Sequence, residues 1–291
     1  MSNRNLNQAK EAKNDEFYTQ LTDIEKELKH YRHHFKNKIV YCNCDDPKVS
    51  NFFKYFTRNF EHLGLKKVIA TCYKNQLPIQ FSEHQDEKAC YMVYEGDQNK
   101  NRNVDDEEIQ VKESNGDGDF RSPESIEFLK EADIVCTNPP FSLFKEYVHQ
   151  LTKFNKKFLI IGNQNAITYK EIFPLIKENK MWFGINNVKE FEVKKDNSKS
   201  KYCYDRKKHF QKFGNVNWYT NLTHSKRNDT LHLIENYLPE KFPTYDNYNA
   251  IEVKKVVDIP KNYGGGQWVF LSHFFTNTTL NNLKSLVFVA I

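Results

Sequence analysis

The chain has 291 residues, room for one large catalytic domain with a smaller appendage. Lys and Arg number 43 against 38 Asp and Glu, a net charge of +5 that suits a polyanionic partner without demanding one. No apolar run approaches the roughly 18–20 residues of a membrane helix, and the polar opening MSNRNLNQAKEAKNDEFYTQ has no signal-peptide core, so a cytoplasmic protein with no membrane partner is expected.

In chain order, residues 5–30 have helical spacing of Leu21, Ile24 and Leu28, with FYT (17–19) near the start of that region. NKIVYCNC (37–44) is β-rich and ends at DDP (45–47). SNFFKYFTRNF (50–60) then has the aromatic spacing of a helix, with Ser50 as its N-cap. KKVIATCY (66–73) and KACYMVYE (88–95) are further strands. Residues 96–118 are polar and acidic, the texture of a long surface excursion. A helix at 122–132 is predicted by Ser122 at the cap and Pro123 at the first helical position. The strand DIVCT (133–137), the turn NPPF (138–141), an amphipathic helix (142–154), a strand (156–163) and a helix (169–180) follow.

The strands are continuously apolar and alternate with helices, the pattern of a parallel sheet covered on both faces. The fold predicted is α/β: a doubly wound, mostly parallel, Rossmann-like sheet. A smaller mixed and basic region begins near 185, where the texture turns lysine-rich and aromatic. The six cysteines form no C-x-x-C pair and the ten histidines no H-E-x-x-H, so no metal is expected.

Ligands of open α/β sheets bind outside the carboxyl ends of the strands. Here those ends carry DDP, TCY (71–73) and NPPF. Two prolines after a strand hold the Pro139 carbonyl off the sheet ladder, where it can accept a hydrogen bond. The Asn138 side-chain oxygen is a second acceptor, and Phe141 supplies a stacking ring. Two acceptors and a ring fit a planar ligand with an exocyclic amino group. Accepting both of its N–H bonds turns the nitrogen lone pair outward, toward an electrophile. S-adenosylmethionine is such an electrophile, and the carboxylates Asp45 and Asp46 suit its ammonium or ribose. They could equally cap the helix that starts near 50.

The wider sequence sharpens this. The blocks KNDEFYTQLTDIEKEL, YCNCDDPKVSNFFKYF, GDGDFRSPESIEFLKEADIVCTNPPFSLFKEYV, KKFLIIGNQNAITYKEIFPLIKENK and VNWYTNL resemble, in this order, the EcoRI-type adenine-specific DNA methyltransferases over roughly 9–263. NPP[FY] alone is only moderately specific, since RNA and protein-glutamine methyltransferases share it. The resemblance implies that Asn138, Pro139, Pro140 and Phe141 hold a flipped adenine. It implies that Phe17, Tyr18 and Thr19 form a cofactor motif before the first strand, and that Asp45, Asp46 and Pro47 stand in place of the usual glycine-rich loop. Asp119 and Phe120 match the segment that contacts the cofactor's adenine. The domains it implies are a catalytic, S-adenosylmethionine-binding part (1–184) and a target-recognition region (185–262). The partners are double-stranded DNA and a cognate restriction endonuclease. The alternatives are methylation of N4-cytosine, RNA or protein glutamine by the same amino-group chemistry, and an inactive DNA- or cofactor-binding remnant.

Adenine N6 lies inside the duplex, so the base must leave the stack at a cost of roughly a few kcal/mol, which phosphate contacts must offset. Lys194, Lys195, Arg206, Lys207, Lys208, Lys226 and Arg227, interleaved with aromatic residues, are the expected DNA-contacting set. The nearly uncharged tail (263–291) departs from the family pattern. Codons permitted for Gln267 onward can be read one base out of frame as MGVPITFLHKYNPEQFEIIGFRS, so a frameshift from about residue 265, at the run Gly264–Gly266, is the expectation there.

Overall fold

The computed structural model describes residues 18–44, 50–71, 89–192, 203–205, 210–229, 232–246, 248–253, 258–263, 267–269 and 286–287. In chain order the elements are β1 (Tyr18–Thr19), α1 (Leu21–Leu28), β2 (Ile39–Asn43), α2 (Asn51–Arg58), α3 (Phe60–Leu63), β3 (Lys67–Thr71), β4 (Cys90–Tyr94) and β5 (Gln110–Glu113). Then come α4 (Pro123–Glu131), β6 (Ile134–Thr137), α5 (Phe144–Lys153), β7 (Lys157–Asn163), α6 (Phe173–Lys177), β8 (Trp182–Glu192), β9 (Cys203–Asp205) and β10 (Phe210–Thr220). The last four strands are β11 (Thr244–Tyr245), β12 (Tyr248–Glu252), β13 (Gln267–Val269) and β14 (Leu286–Val287).

One ten-stranded sheet has the order β1-β8-β10-β7-β6-β2-β3-β4-β5, with β9 beside β10, and β11–β14 form a separate four-stranded sheet. The neighbours β7, β6, β2 and β3 run parallel, and every other ladder of the large sheet is antiparallel. The sheet is therefore mixed, whereas the apolar runs predict a mostly parallel one. Antiparallel neighbours need no crossover helix, so strands on the two flanks can follow one another with loops alone.

Alternation along each central strand sends residues to two cores. Val40, Cys42, Val68, Ala70, Ile134, Cys136, Leu159 and Ile161 face α1 and α2 through Ile24, Leu28, Phe52 and Phe56. Ile39, Tyr41, Ile69, Val135, Phe158 and Ile160 face α4 and α5 through Leu129, Tyr147, Val148 and Leu151. Helices thus cover both faces, which is why these strands carry no polar alternation.

The helix starts follow the caps read from sequence. Ser50 Oγ accepts from the Phe53 amide at 3.4 Å, and Ser122 Oγ accepts from the Ser125 amide at 3.2 Å, with Pro123 in the first turn. The predicted helix at 50–60 is two pieces, α2 and α3, separated at Asn59, whose side-chain amide donates to the Tyr55 carbonyl at 2.8 Å. Of the helix predicted at 169–180, α6 forms only over Phe173–Lys177, with Pro174 in its first turn. The excursion at 96–118 contains an edge strand, β5, whose four residues are all exposed. Such a strand joins a sheet by backbone bonds alone and leaves no apolar alternation to read.

The division expected after 184 falls inside β8. That strand and β10 pair over most of their length and join β7, so both belong to the large sheet.

Candidate active site

The carboxyl ends of β2, β3 and β6 are tied together by buried polar groups. Thr137 Oγ1 donates to the Asn43 carbonyl, and Tyr147 Oη, from α5, donates to Asn43 Oδ1. The hydroxyls of Tyr41 and Thr71 are 2.7 Å apart, and the Cys44 amide donates to the Thr71 carbonyl at 3.1 Å. Burial pushes the Tyr147 phenol well above its ordinary range, so it stays a proton donor to Asn43. Cys44 takes φ +99, a region that favours glycine, at the residue where β2 hands over to 45–49.

Asn138 and Pro139 are buried directly after β6, while Pro140 and Phe141 are partly exposed. The Leu143 amide donates to the Pro140 carbonyl at 3.0 Å, closing one 3-10 turn over Phe141–Leu143 before α5 begins. Gly162 of β7 makes the turn possible from below. A Cβ there would lie 2.7 Å from Phe144 Cζ, so the glycine lets the first ring of α5 rest on strand backbone.

Phe141 meets Phe191 edge to face, with ring centroids 6.4 Å apart. Phe191 is fully buried on β8 and is the Cα partner of Thr19 in β1. Thr19 is in turn bound to the start of α2, where Asn51 Nδ2 donates to its carbonyl at 2.8 Å. The fold therefore carries Tyr18 and Thr19 across to the edge where β2 and β6 end. Thr19 Oγ1 is buried with no hydrogen-bond partner among the described residues, an uncommon state for a buried polar atom. It fits a polar ligand seated there.

Phe120 lies under this edge, 6% exposed and 5.1 Å from the Tyr147 ring centroid, with Gln150 Nε2 donating to its carbonyl at 2.9 Å. Asp119 is held by Arg121, whose guanidinium donates at 2.9 and 2.8 Å to its two oxygens. Burial raises the Asp119 carboxyl, but the hydrogen bonds and charge of Arg121 outweigh it and hold the group below its ordinary range. Arg121 also reaches Glu146 Oε2 at 3.0 Å.

Of the sequence-predicted cofactor residues, Tyr18 and Thr19 lie on the strand paired with β8 beside Phe191, the ring partner of Phe141, whereas Asp119 and Phe120 lie against α5, the helix after the turn, through Arg121–Glu146 and Tyr147. Phe17, Asp45, Asp46 and Pro47 lie outside the described residues, as do Lys194, Lys195, Arg206, Lys207 and Lys208. The strands flanking the basic segment are described. Glu192 and Phe210 are paired at the far end of β8 and β10, beyond the Val216–Asn163 pair where β7 ends. The hairpin that carries the segment consequently opens at the candidate-site edge.

Lys226 and Arg227 are not brought there. β10 runs against β7, so Thr220 lies opposite Leu159 near the start of β7. Asn221 then bonds to Lys156 and Phe158, and His34 meets the Thr223 carbonyl at 2.8 Å. Arg227 stacks 3.5 Å over the Trp182 ring and donates to Asn179 Oδ1 at 2.9 Å. Seven residues of β7 separate the two edges, about 20 Å.

Sequence reasoning missed Asn43, Asn51, Thr137, Tyr147 and Phe191. Each acts through a partner more than thirty residues away, and only Asn51 had a local signal, its place beside the Ser50 cap. Among the described residues no group of three or more His, Cys, Asp and Glu is disposed to hold a metal, and no helix is long and apolar enough to cross a membrane.

An α/β sheet that presents Asn-Pro-Pro-Phe at a strand's carboxyl end, with a buried cradle beside it, has the architecture of a methyltransferase. The sequence profile of the family described as adenine-specific methyltransferase EcoRI matches residues 5–277, and the chain belongs to that family. It is 49% identical over 276 residues to the Type II methyltransferase M.EcoRI of Escherichia coli, covering 91% of this chain and 83% of that protein. The Type II methyltransferases M.MgeORF184P of Mycoplasma genitalium and M.MpnI of Mycoplasma pneumoniae are 38% and 37% identical over 269 residues, covering 89% of this chain and 78% of each. No solved structure matches.

Proposed function

We propose that this chain transfers a methyl group from S-adenosylmethionine to N6 of an adenine flipped out of duplex DNA, as the modification partner of a restriction endonuclease. The observation that carries the reading is the Asn138–Phe141 turn, fixed at the carboxyl end of β6 and flanked by Thr19 through Phe191. In this reading the large sheet is a doubly wound, Rossmann-like methyltransferase sheet. The hairpin of β8 and β10 belongs to it by hydrogen bonding and to target recognition by the segment it carries.

Tyr18, Thr19, Asp119 and Phe120, with Phe17 and Asp45–Pro47, would hold the cofactor, which supplies an electrophilic sulfonium methyl when bound. The rest of the chemistry belongs to the chain. Asn138 Oδ1 and the Pro139 carbonyl accept the two N–H bonds of the adenine amine, turning its lone pair outward. Methylation of the amine requires it to lose one proton, which an acceptor of this turn or water would take. Phe141 stacks on the base and takes the place of the base neighbours that flipping removes. Binding to backbone phosphates falls to Lys194, Lys195, Arg206, Lys207 and Lys208.

The test is transfer of tritium from labelled cofactor to duplex DNA, with N6-methyladenine identified by mass spectrometry. Asn138→Ala is expected to abolish transfer while cofactor binding by calorimetry survives. Full activity in that variant would overturn the assignment of the turn. N4-methylcytosine as product, or transfer to RNA or protein instead of DNA, would overturn the substrate.

A further inference from the structure

The Asn138–Phe141 turn is held by a residue that belongs neither to the turn nor to the elements beside it in the chain. Asn43, the last residue of β2, receives two hydroxyls. Thr137, directly before the turn, donates Oγ1 to the Asn43 carbonyl. Tyr147, on the helix after the turn, donates Oη to Asn43 Oδ1. Both ends of the turn are therefore tied to one residue, and all three partners are buried. From Asn43 the chain passes through Cys44 directly into Asp45, Asp46 and Pro47, the expected cofactor loop.

The same pair reaches the other expected cofactor segment. The Tyr147 ring meets the Phe120 ring edge to face, with centroids 5.1 Å apart. Gln150, further along α5, donates Nε2 to the Phe120 carbonyl at 2.9 Å. On the near side of Asn43, burial raises the Tyr41 phenol, which hydrogen-bonds with the side chains of Thr71, Ser125 and Asn43. Ser125 stands in the first turn of α4. One buried set of hydroxyls and an amide thus joins the carboxyl ends of β2, β3 and β6 to the starts of α4 and α5.

Stability alone does not call for this arrangement. α5 is already packed on the sheet by Phe144, Val148 and Leu151, all buried. Apolar burial is non-directional, so it leaves a helix free to shift by fractions of an ångström along the sheet. A hydrogen bond weakens steeply when its angle or length departs from the optimum, so it fixes that shift. Asparagine supplies the acceptor without a charge, which a buried position would make costly. What the bonds fix is the spacing between the turn and the strand end that leads to the expected cofactor loop. Transfer between two bound groups is steeply sensitive to that spacing.

We propose that Asn43 and Tyr147 are positioning residues for methyl transfer, a role that rests on the reading of the turn given above: their hydrogen bond, with that of Thr137, sets the distance between the amine held by the turn and the methyl donor. Both act through neighbours. Thr137 and α5 carry the Asn138–Phe141 turn, and Cys44 leads to Asp45.

The experiment measures kcat and KM for tritium transfer from labelled cofactor to duplex DNA, beside the unfolding temperature, in the full chain and its variants. Tyr147→Phe removes only the hydroxyl. It is expected to lower kcat about tenfold or more, with KM for DNA and for cofactor changed less than about twofold. Thr137→Val is expected to lower kcat in the same way. Asn43→Ala should match Tyr147→Phe, and the two together should fall little further, because the same bond is lost once. Tyr31→Phe is the comparison: its hydroxyl donates to Glu27 at 2.8 Å, buried but away from the turn. That variant is expected to unfold at a lower temperature with kcat unchanged. Wild-type kcat in Tyr147→Phe would reduce the pair to a fastening and overturn the proposal, while the reading of the turn stood. An equal loss of kcat in Tyr31→Phe, or fully independent losses in the 43 and 147 variants, would overturn it too. Should Asn43→Ala fail to fold, Tyr147→Phe against Tyr31→Phe decides. No transfer to DNA by the wild-type chain would overturn the reading of the turn, and this role with it.

Discussion

At the carboxyl edge of the parallel strands the polar groups are buried and hold one another; at the opposite edge they lie in water. Asn43, Thr137 and Tyr147 are each 3% exposed or less and bonded across three elements. Lys226 and the carboxylates of the 97–108 loop between β4 and β5 are exposed or half-exposed, and Asp97, Asp105 and Glu108 bond to groups of the same loop. A buried polar network has one good arrangement and many costly ones, so it fixes geometry, which catalysis needs. An exposed loop can rearrange without disturbing the core. The contrast implies that substitutions at the first edge change rate, and those at the second change binding or nothing.

The largest effect is expected for Asn138→Ala: a fall of about 10³-fold or more in kcat, read by tritium transfer, with cofactor affinity nearly unchanged. Gly162→Ala comes next, because the new methyl collides with Phe144 beneath the turn. A stability decrease of about 1–3 kcal/mol is expected from overpacking, together with a fall in kcat that exceeds any change in KM. An unchanged kcat would separate the turn from its support.

Glu27 tests a buried charge away from the turn. Its carboxylate is fully buried and accepts from Tyr31 Oη, the amides of Ile185 and Asn186, and Asn186 Nδ2, all at 2.8 Å. Gly184 makes room for it, since a Cβ there would lie 2.7 Å from Trp218 Cβ and against the carboxylate itself. Glu27→Gln turns an amide nitrogen toward a peptide N–H and is expected to cost about 2–4 kcal/mol, read from urea unfolding.

The two ends of the basic set sharpen the contrast directly. Replacing Lys194, Lys195, Arg206, Lys207 and Lys208 with alanine is expected to weaken DNA binding. Its salt dependence should flatten by nearly one unit of slope for each phosphate the protein no longer neutralises. Lys226→Ala with Arg227→Ala is expected to change affinity less than about twofold, because these residues sit about 20 Å from the site edge. Equal weakening by the two sets would mean that the duplex wraps both edges.

The smallest effect concerns Asp119. Its folded carboxyl lies below the ordinary value because of Arg121. It therefore adds stability at neutral pH that disappears as pH falls from about 4 through the folded value. Asp119→Asn should flatten the acid limb of the urea midpoint against pH and leave it unchanged above pH about 6. Solvent reaches this pair and screens it, so the effect on stability is small.

Much of this was legible in the chain itself. Local chemistry determined the cap at Ser50, the cap and proline at Ser122 and Pro123, the buried strands from 39 to 163, and the Asn-Pro-Pro-Phe turn, because each depends on neighbours within a few residues. The order of its motifs placed the chain in its family. Tertiary structure decided what the strands did with those pieces. Two residues, Tyr18 and Thr19, reach the site only because β1 pairs with β8 near Phe191. The antiparallel run of β10 carries Lys226 and Arg227 to the far edge, although their composition matches that of the basic hairpin. Strand direction and long-range pairing are set by which apolar faces can close together, and no window of the sequence contains both faces.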